Sequence, residues 1–285
     1  MKTYYECIPC FLKQALNAAR LATNDTAIHE HVLREVLKDT AAMNLNQPPP
    51  VMGQQIHRII REATGSDDPY AMVKKQYNEF GLRLYPELRQ TIRESENPLE
   101  TAIRLSIAGN IIDFGVAASI DQEEVSSVIK QSLTHPLEGN ISAFQSSLKA
   151  AKNILFLGDN AGEIVFDRLL IETLSRNNIT YVVRGGPVIN DVTRSDAEVT
   201  GITDLVAVMD NGSNAPGTLL DQCSEPFKKA FYDADLVVAK GQGNFESLSA
   251  ADHHIFFIFK VKCSVVASHT GCPEGSMMIH ERLAN

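Results

Sequence analysis

No run of apolar residues in this chain approaches the roughly 20 that a helix needs to span a bilayer. Its beginning, MKTYYECIPCF, is too polar for the apolar core of a secretory signal. Positive charge is also in short supply, because 26 Lys and Arg stand against 35 Asp and Glu, a formal net charge of -9. This balance disfavours nucleic acid and anionic membranes as partners. We therefore expect a cytoplasmic protein that acts on small molecules.

Cysteine is scarce too, with five residues, an odd number that argues against a disulfide framework. Cys7 and Cys10 form a C-x-x-C pair at the beginning of a helix-like segment, whereas Cys263 and Cys272 follow far along the chain. Two interpretations remain open. Either the thiols are packed and idle, or Cys7 and Cys10 form a second metal or redox site with Cys263 and Cys272 folded beside them.

Several common site motifs are missing. GDNAGE lacks the G-x-G-x-x-G spacing that binds a dinucleotide pyrophosphate, and no G-x-x-x-x-G-K-[ST] or G-x-S-x-G motif occurs. His253 and His254 precede a buried strand and do not have the spacing of zinc ligands on a helix. Residues outside these motifs must therefore bind any ligand.

The chain of 285 residues divides into two parts that differ in the spacing of their apolar residues. Residues 1–148 carry apolar residues at three- and four-residue spacing, as in FLKQALNAARLA, HEHVLREVLKDTAAM, MGQQIHRIIREATG and EEVSSVIKQSL, which predicts a helical N-terminal region. Residues 149–285 contain short apolar runs, NILFLG, ITYVVRG, DLVAVMD, ADLVVAKG, IFFIFKV and SVVAS, separated by amphipathic stretches. This alternation predicts an α/β class protein with a Rossmann-like α/β/α core and a mostly parallel sheet.

Polar residues follow the predicted strands at the edge where parallel strands bind ligands. Asp159, Asn160 and Glu163 follow the first run, and GGPVIND, which contains Asp191, follows the second. The later strand ends carry further polar residues: Asp210, Asn211 and Ser213, then Lys240 and Asn244, then Lys260 and Lys262. Carboxylate and amide oxygens suit Mg²⁺ or Mn²⁺, and lysines suit phosphate oxygens. Each motif alone is a plain turn or helix cap, but together they favour a phosphoryl-transfer site.

A further polar pair lies in the predicted helical region, in RLSIAGNIIDFG. Asn110 and Asp113 are three residues apart and so share a helix face within an apolar segment. Buried polar side chains need partners. Either the pair ties the helical layer to the sheet, or it lines the floor of the pocket and contacts the substrate.

Five stretches in this order resemble the signature motifs of the damage-control phosphatase superfamily, the domain-of-unknown-function 89 proteins: AGNIIDFG, GDNAGEIVFD, RGGPVINDVT, VAKGQGNFESL and FKVKC. YYECIPCFLKQAL is similar to the beginning of the prokaryotic branch in particular. The resemblance covers about residues 4–275. It implies a metal-dependent phosphatase of small phosphorylated metabolites, such as sugar phosphates or damaged metabolites.

The resemblance also implies roles for single residues. It implies Asp159, Asn160 and Asp191 as ligands of Mn²⁺ or Mg²⁺, with Co²⁺ or Ni²⁺ as further candidates. It implies the following contacts of phosphate and substrate: Glu163, Lys240, Asn244 and Lys260. KGQGN stands here where eukaryotic members have KGDLN, so we expect the part of the pocket that selects the sugar to differ.

Two routes to hydrolysis stay open, both with Asp159, Asp191 and Lys240 as catalytic residues. Either water attacks phosphorus in line, or Asp159 attacks and forms an aspartyl-phosphate. Two other functions also stay open. One is a non-catalytic protein that binds a phosphorylated metabolite or a metal. The other is an S-adenosylmethionine-dependent methyltransferase, because FLGDNAGE is loosely similar to a glycine-rich strand-to-helix loop.

Overall fold

The computed structural model describes residues 1–111, 122–174 and 178–284 of the chain. The helices are α1 (Cys7–Ala22), α2 (Thr26–Ala42), α3 (Pro49–Thr64), α4 (Ala71–Glu94), α5 (Pro98–Ile111), α6 (Gln122–Thr134), α7 (Ile141–Ala150), α8 (Glu163–Leu174), α9 (Arg194–Val199), α10 (Glu225–Asp233), α11 (Gly241–Leu248) and α12 (Ser264–Thr270). The strands are β1 (Leu137–Gly139), β2 (Ile154–Leu157), β3 (Ile179–Val183), β4 (Ala207–Asp210), β5 (Leu236–Lys240), β6 (Ile255–Lys260) and β7 (Met277–Arg282). Among the described helices, none is both long enough and apolar enough to cross a membrane.

The first three helices pack around a core of their own. Helix α1 buries Ala15, Ala18 and Ala19 along one face, as its amphipathic pattern predicts. Helix α3 begins at Pro49, where a missing N–H costs nothing, and ends before Gly65, which adopts the left-handed conformation. The same buried cluster contains Phe11, Val32, Val36, Met52, Ile56, Ile59 and Ile60. The helical pattern predicted for this part of the chain is therefore confirmed.

Helices α4, α5 and α8 share a second core with one face of the sheet. Phe80 of α4, Ile103 of α5 and Phe166 of α8 lie in one buried cluster with Phe156 of β2 and Val238 of β5. The predicted helical region thus packs directly against the sheet over part of its length. The domain boundary at residue 148 stays a prediction.

The strands form one sheet in the order β1-β7-β6-β5-β2-β3-β4. Strands β2 to β6 run parallel, β7 is antiparallel to β6, and β1 is parallel to β7. Phe227 of α10, Phe245 of α11 and Val266 of α12 cover the second face. Helices on both faces explain why β2, β5 and β6 are almost continuously apolar. The predicted Rossmann-like α/β/α core is confirmed.

Three elements differ from the sequence pattern. SVVAS belongs to α12 and not to a strand, since two valines do not mark a strand and Gly271, in the left-handed conformation, ends a short helix. Strand β1 lies inside the predicted helical region and carries no apolar run. Strand β7, MMIHER, is half polar and pairs at the antiparallel side of the sheet. Long-range pairing, which local periodicity does not encode, creates both of these strands.

The sheet has a switch point at β2. Strand β3 lies on one side of β2 and β5 on the other, so the chain crosses over in both directions from this pair. Such a reversal leaves a crevice at the carboxyl ends of the two strands, where ligands bind in open α/β sheets. The GDNAGE loop after β2 and the KGQGN segment at the end of β5 therefore flank one crevice.

His57 offers a test of how completely α3 is buried. Its ring is 1% exposed, and burial, aided by the charge of Arg61, lowers its pKa from 6.5 to about 4. The unfolded chain protonates this ring near pH 6.5 and the folded chain only near pH 4. The contribution of His57 to the free energy of unfolding should therefore fall by about 3 kcal/mol as the pH drops across that interval.

We expect His57→Gln to lose this contribution, so that its stability falls less than that of wild type as the pH drops, as measured by urea unfolding in buffers that span the interval. His31→Gln, at an exposed position of α2, is the matched control and should keep the wild-type slope. An unchanged slope in His57→Gln would contradict a neutral buried ring.

Candidate functional site

Asp159 lies in the crevice between β2 and β5. Gly158 precedes it and packs against Tyr181 of β3, since a β-carbon at Gly158 would lie 2.4 Å from the tyrosine hydroxyl oxygen. The Asp159 carboxylate lies directly against Gly241, the first residue of α11. A β-carbon at Gly241, whose φ is 78°, would lie 1.9 Å from Asp159 Oδ2. Only glycine leaves room for this carboxylate.

The loop after β3 brings Asp191 beside this acid. Asn160 and Asp191 pair in an isolated antiparallel bridge, and the Val192 N–H donates to the Asp159 carbonyl at 2.8 Å. Ile189, in the same loop, has a φ of 43°, a left-handed conformation that a β-branched residue adopts only under strain. The structure therefore brings together Asp159, Asn160 and Asp191, the three residues implied as metal ligands.

Two side-chain amides orient the acids that follow β2. Asn110 Nδ2 donates to Asp159 Oδ2 at 2.8 Å and to Glu163 Oε2 at 2.7 Å. Asn160 Nδ2 donates to the same two oxygens at 2.8 and 3.0 Å. The Asn160 Oδ1 atom is therefore turned away from these carboxylates. Asn110 Oδ1 is buried and has no hydrogen-bond partner within the described ranges.

Asn110 thus joins α5 to the acids at the sheet edge, as the first interpretation predicts, and its contact with the substrate stays a prediction. Asp113, predicted to act with it, lies outside the described residues.

Lys240 is enclosed by acids and does not face the crevice. Its ammonium donates to Glu163 Oε1 at 2.6 Å, to Asp167 Oδ1 at 2.5 Å and to the Ser106 carbonyl at 3.2 Å, and the residue is fully buried. An ammonium has three N–H donors, so none remains for a phosphate oxygen. The direct contact of Lys240 with phosphate that the resemblance implies does not agree with this geometry. Lys240 instead binds the carboxylates of Glu163 and Asp167.

Glu163 has a similar internal role. It is fully buried, with Oε1 accepting from Lys240 and Oε2 accepting from Asn110 and Asn160. Both oxygens are therefore engaged within the protein. Glu163 links the lysine to the amides and does not present the expected substrate-contacting carboxylate to the crevice.

The far end of this network contains residues that are absent from the predicted set. Asp167 Oδ1 accepts from the Ser106 hydroxyl at 2.8 Å, and Asp167 Oδ2 accepts from the Tyr181 hydroxyl at 2.9 Å. The available signal was the spacing in GDNAGEIVFD, because Glu163 and Asp167, four residues apart, share one face of α8. A second acid on a buried helix face indicates a buried cation opposite it.

Arg184 is another site residue, the first of RGGPVINDVT, to which the sequence analysis assigned no role. It follows β3, is 2% exposed, and donates from Nε to Asp191 Oδ2 at 2.6 Å. Its Nη2 atom lies 3.8 Å from Asp159 Oδ1. A charged residue directly after the apolar run ITYVV, at the ligand-binding edge of the sheet, was the signal in the sequence.

Asn244 is buried beneath the site. Its Nδ2 donates to the Lys240 carbonyl at 2.7 Å and to the Gly158 carbonyl at 3.3 Å. Its Oδ1 accepts from the Thr218 hydroxyl at 2.8 Å and from Arg184 Nη1 at 3.4 Å. The amide therefore has its donors and acceptor engaged inside the protein, where it joins β2, β5 and Arg184, and the expected substrate contact is not available.

The two lysines of FKVKC lie differently. Lys260 ends β6, and its side chain makes no hydrogen bond or ion pair with the described residues. Burial and the charge of Glu163 raise the pKa of Asp159, whereas the charges of Arg184 and Lys262 lower it. The exposed Lys262 is therefore a lysine whose charge reaches Asp159, and the substrate contact implied for Lys260 stays a prediction.

Burial also governs the protonation of the other acids. It raises the pKa of Asp191 to about 7, although Arg184 opposes the rise, and that of Asp167 to about 6, although Lys240 opposes it. For Lys240 itself, burial would lower the pKa, but the charges of Asp167 and Glu163 outweigh burial and raise it. The site is therefore short of positive charge.

A polar cluster from α4 fixes the spacing of the two acidic loops. Asn78 Oδ1 accepts from the Gly162 N–H at 2.7 Å, and Asn78 Nδ2 donates to Asp196 Oδ1 at 2.8 Å. Asp196 also accepts from the Thr193 N–H at 2.9 Å and lies 3.5 Å from the Lys74 ammonium. One side chain of the helical layer thus holds the GDNAGE turn and the segment after Asp191 together.

The cysteines lie partly as expected. Burial raises the pKa of the Cys7 thiol against an opposing backbone contact with Tyr4, and Cys263 and Cys10 are near enough to add to the rise. In residues 1–111, 122–174 and 178–284, no group of three or more His, Cys, Asp or Glu is arranged to hold a metal ion. The second metal or redox site at Cys7 and Cys10 stays a prediction.

The chain is similar to several known proteins over almost its whole length. A family model of the damage-control phosphatase ARMT1-like domain matches residues 3–278. A damage-control phosphatase of Pyrococcus horikoshii is 34% identical over 285 residues, covering 98% of this chain and 97% of the relative. A damage-control phosphatase of Archaeoglobus fulgidus is 34% identical over 284 residues, 98% of each chain.

The fold is shared as well. The crystal structure of a DUF89 family protein from Pyrococcus horikoshii matches this structure with a TM-score of 0.88 and 32% identity, covering 99% of each chain. The family model spans the acidic loops, Arg184 and the buried lysine of β5 alike. The chain therefore belongs to the damage-control phosphatase family, the domain-of-unknown-function 89 proteins.

Proposed function

We propose that this protein is a metal-dependent phosphatase that hydrolyses small phosphorylated metabolites, with sugar phosphates and damaged metabolites as the expected class. The observation that carries the proposal is the convergence of Asp159, Asn160 and Asp191 in the crevice between β2 and β5. Lys262 adds a positive charge beside Asp159. The names of the Pyrococcus and Archaeoglobus relatives support the same reaction class.

The donor set fits a hard divalent cation. Asp159 and Asp191 offer carboxylate oxygens, and Asn160 offers an amide oxygen that is turned away from the neighbouring carboxylates. Mg²⁺ and Mn²⁺ prefer such oxygens and complete their shell with water and phosphate oxygens, which agrees with the small number of acids here. Co²⁺ and Ni²⁺ remain candidates.

The charge balance supports the same fit. The site contains four acids and two buried cations: Asp159, Glu163, Asp167 and Asp191, against Lys240 and Arg184. When all are ionised, two negative charges are left in excess. A divalent cation would neutralise them, and this neutralisation would counter the rise that burial causes in the pKa of Asp191.

Side chains of the protein position the groups that the proposed reaction needs. Asn110 and Asn160 hold Asp159 Oδ2, which leaves Oδ1 as the oxygen nearest to Arg184. Lys240 fixes Glu163 beneath these amides. A bound metal supplies charge neutralisation at the phosphoryl group. Attack by water and attack by Asp159 both suit these positions, and retention of labelled phosphate on acid-quenched protein would identify the second route.

Replacement of Asp159 should abolish turnover. We expect metal-free protein, resupplied separately with Mg²⁺, Mn²⁺, Co²⁺ or Ni²⁺, to release phosphate from a panel of sugar phosphates, nucleotides and p-nitrophenyl phosphate. Asp159→Ala should lose about 10²-fold or more of this activity, because a group aimed at the reacting centre is removed. Asp221→Ala, at an exposed position, is the control and should retain it. Metabolite binding without release by folded wild-type protein would favour the non-catalytic alternative.

The contact between Gly241 and Asp159 gives a second test. Gly241→Ala and Gly271→Ala place alanine at φ values of 78° and 72°, so both should lose about 1 kcal/mol of stability from the left-handed backbone. Only Gly241→Ala drives a β-carbon into Asp159, since nothing lies within 4 Å at Gly271.

We expect Gly241→Ala to lose metal-stimulated phosphate release while Gly271→Ala keeps it. Thermal unfolding of both variants measures the loss of stability that the left-handed backbone causes in each. Full activity in Gly241→Ala would mean that the position of the Asp159 carboxylate is not important for the reaction.

The lysines of FKVKC provide a third test. Lys262→Met should raise KM for phosphorylated substrates more than Lys260→Met does, because Lys262 is the lysine whose charge reaches Asp159. Steady-state kinetics of the two variants on one substrate, over a range of salt concentrations, measures the difference. A larger effect at Lys260 would restore the role that the motif resemblance implies for it.

A further inference from the structure

Arg184 carries a buried hydrogen-bond donor that the described protein leaves unused. The residue is 2% exposed, and Nη2 has no hydrogen-bond partner among the described residues. The Asp159 Oδ1 atom lies 3.8 Å from Nη2, which is beyond hydrogen-bond distance. A buried charged donor without a partner is costly, so its presence in the crevice indicates a ligand that is yet to bind.

The rest of the guanidinium is anchored. Nε donates to Asp191 Oδ2 at 2.6 Å, and Nη1 lies 3.4 Å from both Thr218 Oγ1 and Asn244 Oδ1. These contacts come from the loop after β3, the segment after β4, and α11. They fix the plane of the group and leave the Nη2 edge towards Asp159, at the point where phosphoryl transfer is proposed.

The other cations of the site differ from Arg184. Lys240 has its three N–H donors engaged, as described above. Lys262 is exposed, and its charge reaches Asp159. Arg184 combines complete burial with a free donor, which suits recognition of a desolvated phosphate oxygen.

We propose that Arg184 is a further phosphoryl-binding residue, whose Nη2 donates to a non-bridging phosphate oxygen of the substrate while Nε keeps Asp191 in place. The inference rests on the proposed phosphatase function and deepens it. A preorganised donor at the phosphoryl group is worth most in a water-excluded site, where negative charge on these oxygens is otherwise uncompensated.

A simpler role for Arg184 makes a different prediction. If the guanidinium only neutralises Asp159 and Asp191, its removal should strengthen the binding of a divalent cation to those acids and leave phosphate affinity unchanged. If it binds the phosphoryl group, phosphate affinity should fall even when metal is saturating. The two roles therefore separate on binding measurements alone.

The experiment measures binding of inorganic phosphate and of tungstate by calorimetry, at saturating Mn²⁺, together with the affinity for Mn²⁺ itself. Arg184→Lys keeps the charge but loses the planar pair of donors, and Arg184→Met loses both. We expect both variants to bind phosphate about tenfold or more weakly, with Mn²⁺ affinity changed by less than about threefold. Arg194→Lys, at an exposed arginine that donates to the Val208 carbonyl, is the matched control and should bind both as wild type does.

Two outcomes would overturn the proposal. Unchanged phosphate affinity with tighter Mn²⁺ binding would assign Arg184 to charge neutralisation. Parallel loss of phosphate and Mn²⁺ binding would assign it to positioning Asp191 alone. A crystal structure of the wild-type protein with tungstate tests the proposal without any variant. The proposal requires Nη2 to lie within hydrogen-bond distance of a tungstate oxygen, and a longer distance would overturn it.

The binding measurements stand apart from the proposed function. Wild-type protein that binds phosphate but releases none from any substrate would overturn the phosphatase proposal and leave Arg184 as an anion-binding residue. Where turnover is present, kcat/KM should fall about 10²-fold in Arg184→Lys. Wild-type kcat/KM in that variant would overturn the inference about Arg184 alone.

Discussion

Compensation of buried carboxylates is the constraint on which the rest of this structure depends. Asp159, Glu163 and Asp167 follow β2 within nine residues of sequence; the last two are fully buried and Asp159 is largely buried, so their like charges repel strongly. Lys240 neutralises part of this charge, and Asn110 supplies N–H donors to two of the acids. These partners come from β5 and α5, so the acids are stable in place only when both halves of the sheet and the helical layer are assembled.

That requirement links packing to reactivity. Among the described residues, the network leaves Asp159 Oδ1, Arg184 Nη2 and Asn110 Oδ1 without close partners, while the carboxylates of Glu163 and Asp167 and the Lys240 ammonium are engaged. Gly241 lets the acid lie against the first turn of α11, and the strained Ile189 loop brings Asp191 to the same place. Strain and unpaired charge are thus concentrated in the crevice, where a bound metal and a phosphate would relieve them.

The sequence predicted the architecture well and the roles of single residues less well. Periodicity located the helices and the buried parallel strands, because each depends on local spacing of apolar residues. It misread SVVAS and missed β1 and β7, which depend on distant pairing. The motifs identified Asp159, Asn160 and Asp191 as neighbours. They did not show that Lys240 faces inward or that Arg184 lies between two of the acids.

The sequence by itself determined most of the helices, the buried parallel strands, the acidic loops that follow them, and the family to which the chain belongs. Only the tertiary structure decided which polar atoms are satisfied inside the protein and which remain free for a ligand. The reason is physical: Lys240 meets Asp167 across 73 residues, and Asn110 meets Glu163 across 53. Hydrogen bonds of this kind depend on how helices and strands pack, and local residue patterns do not determine that packing.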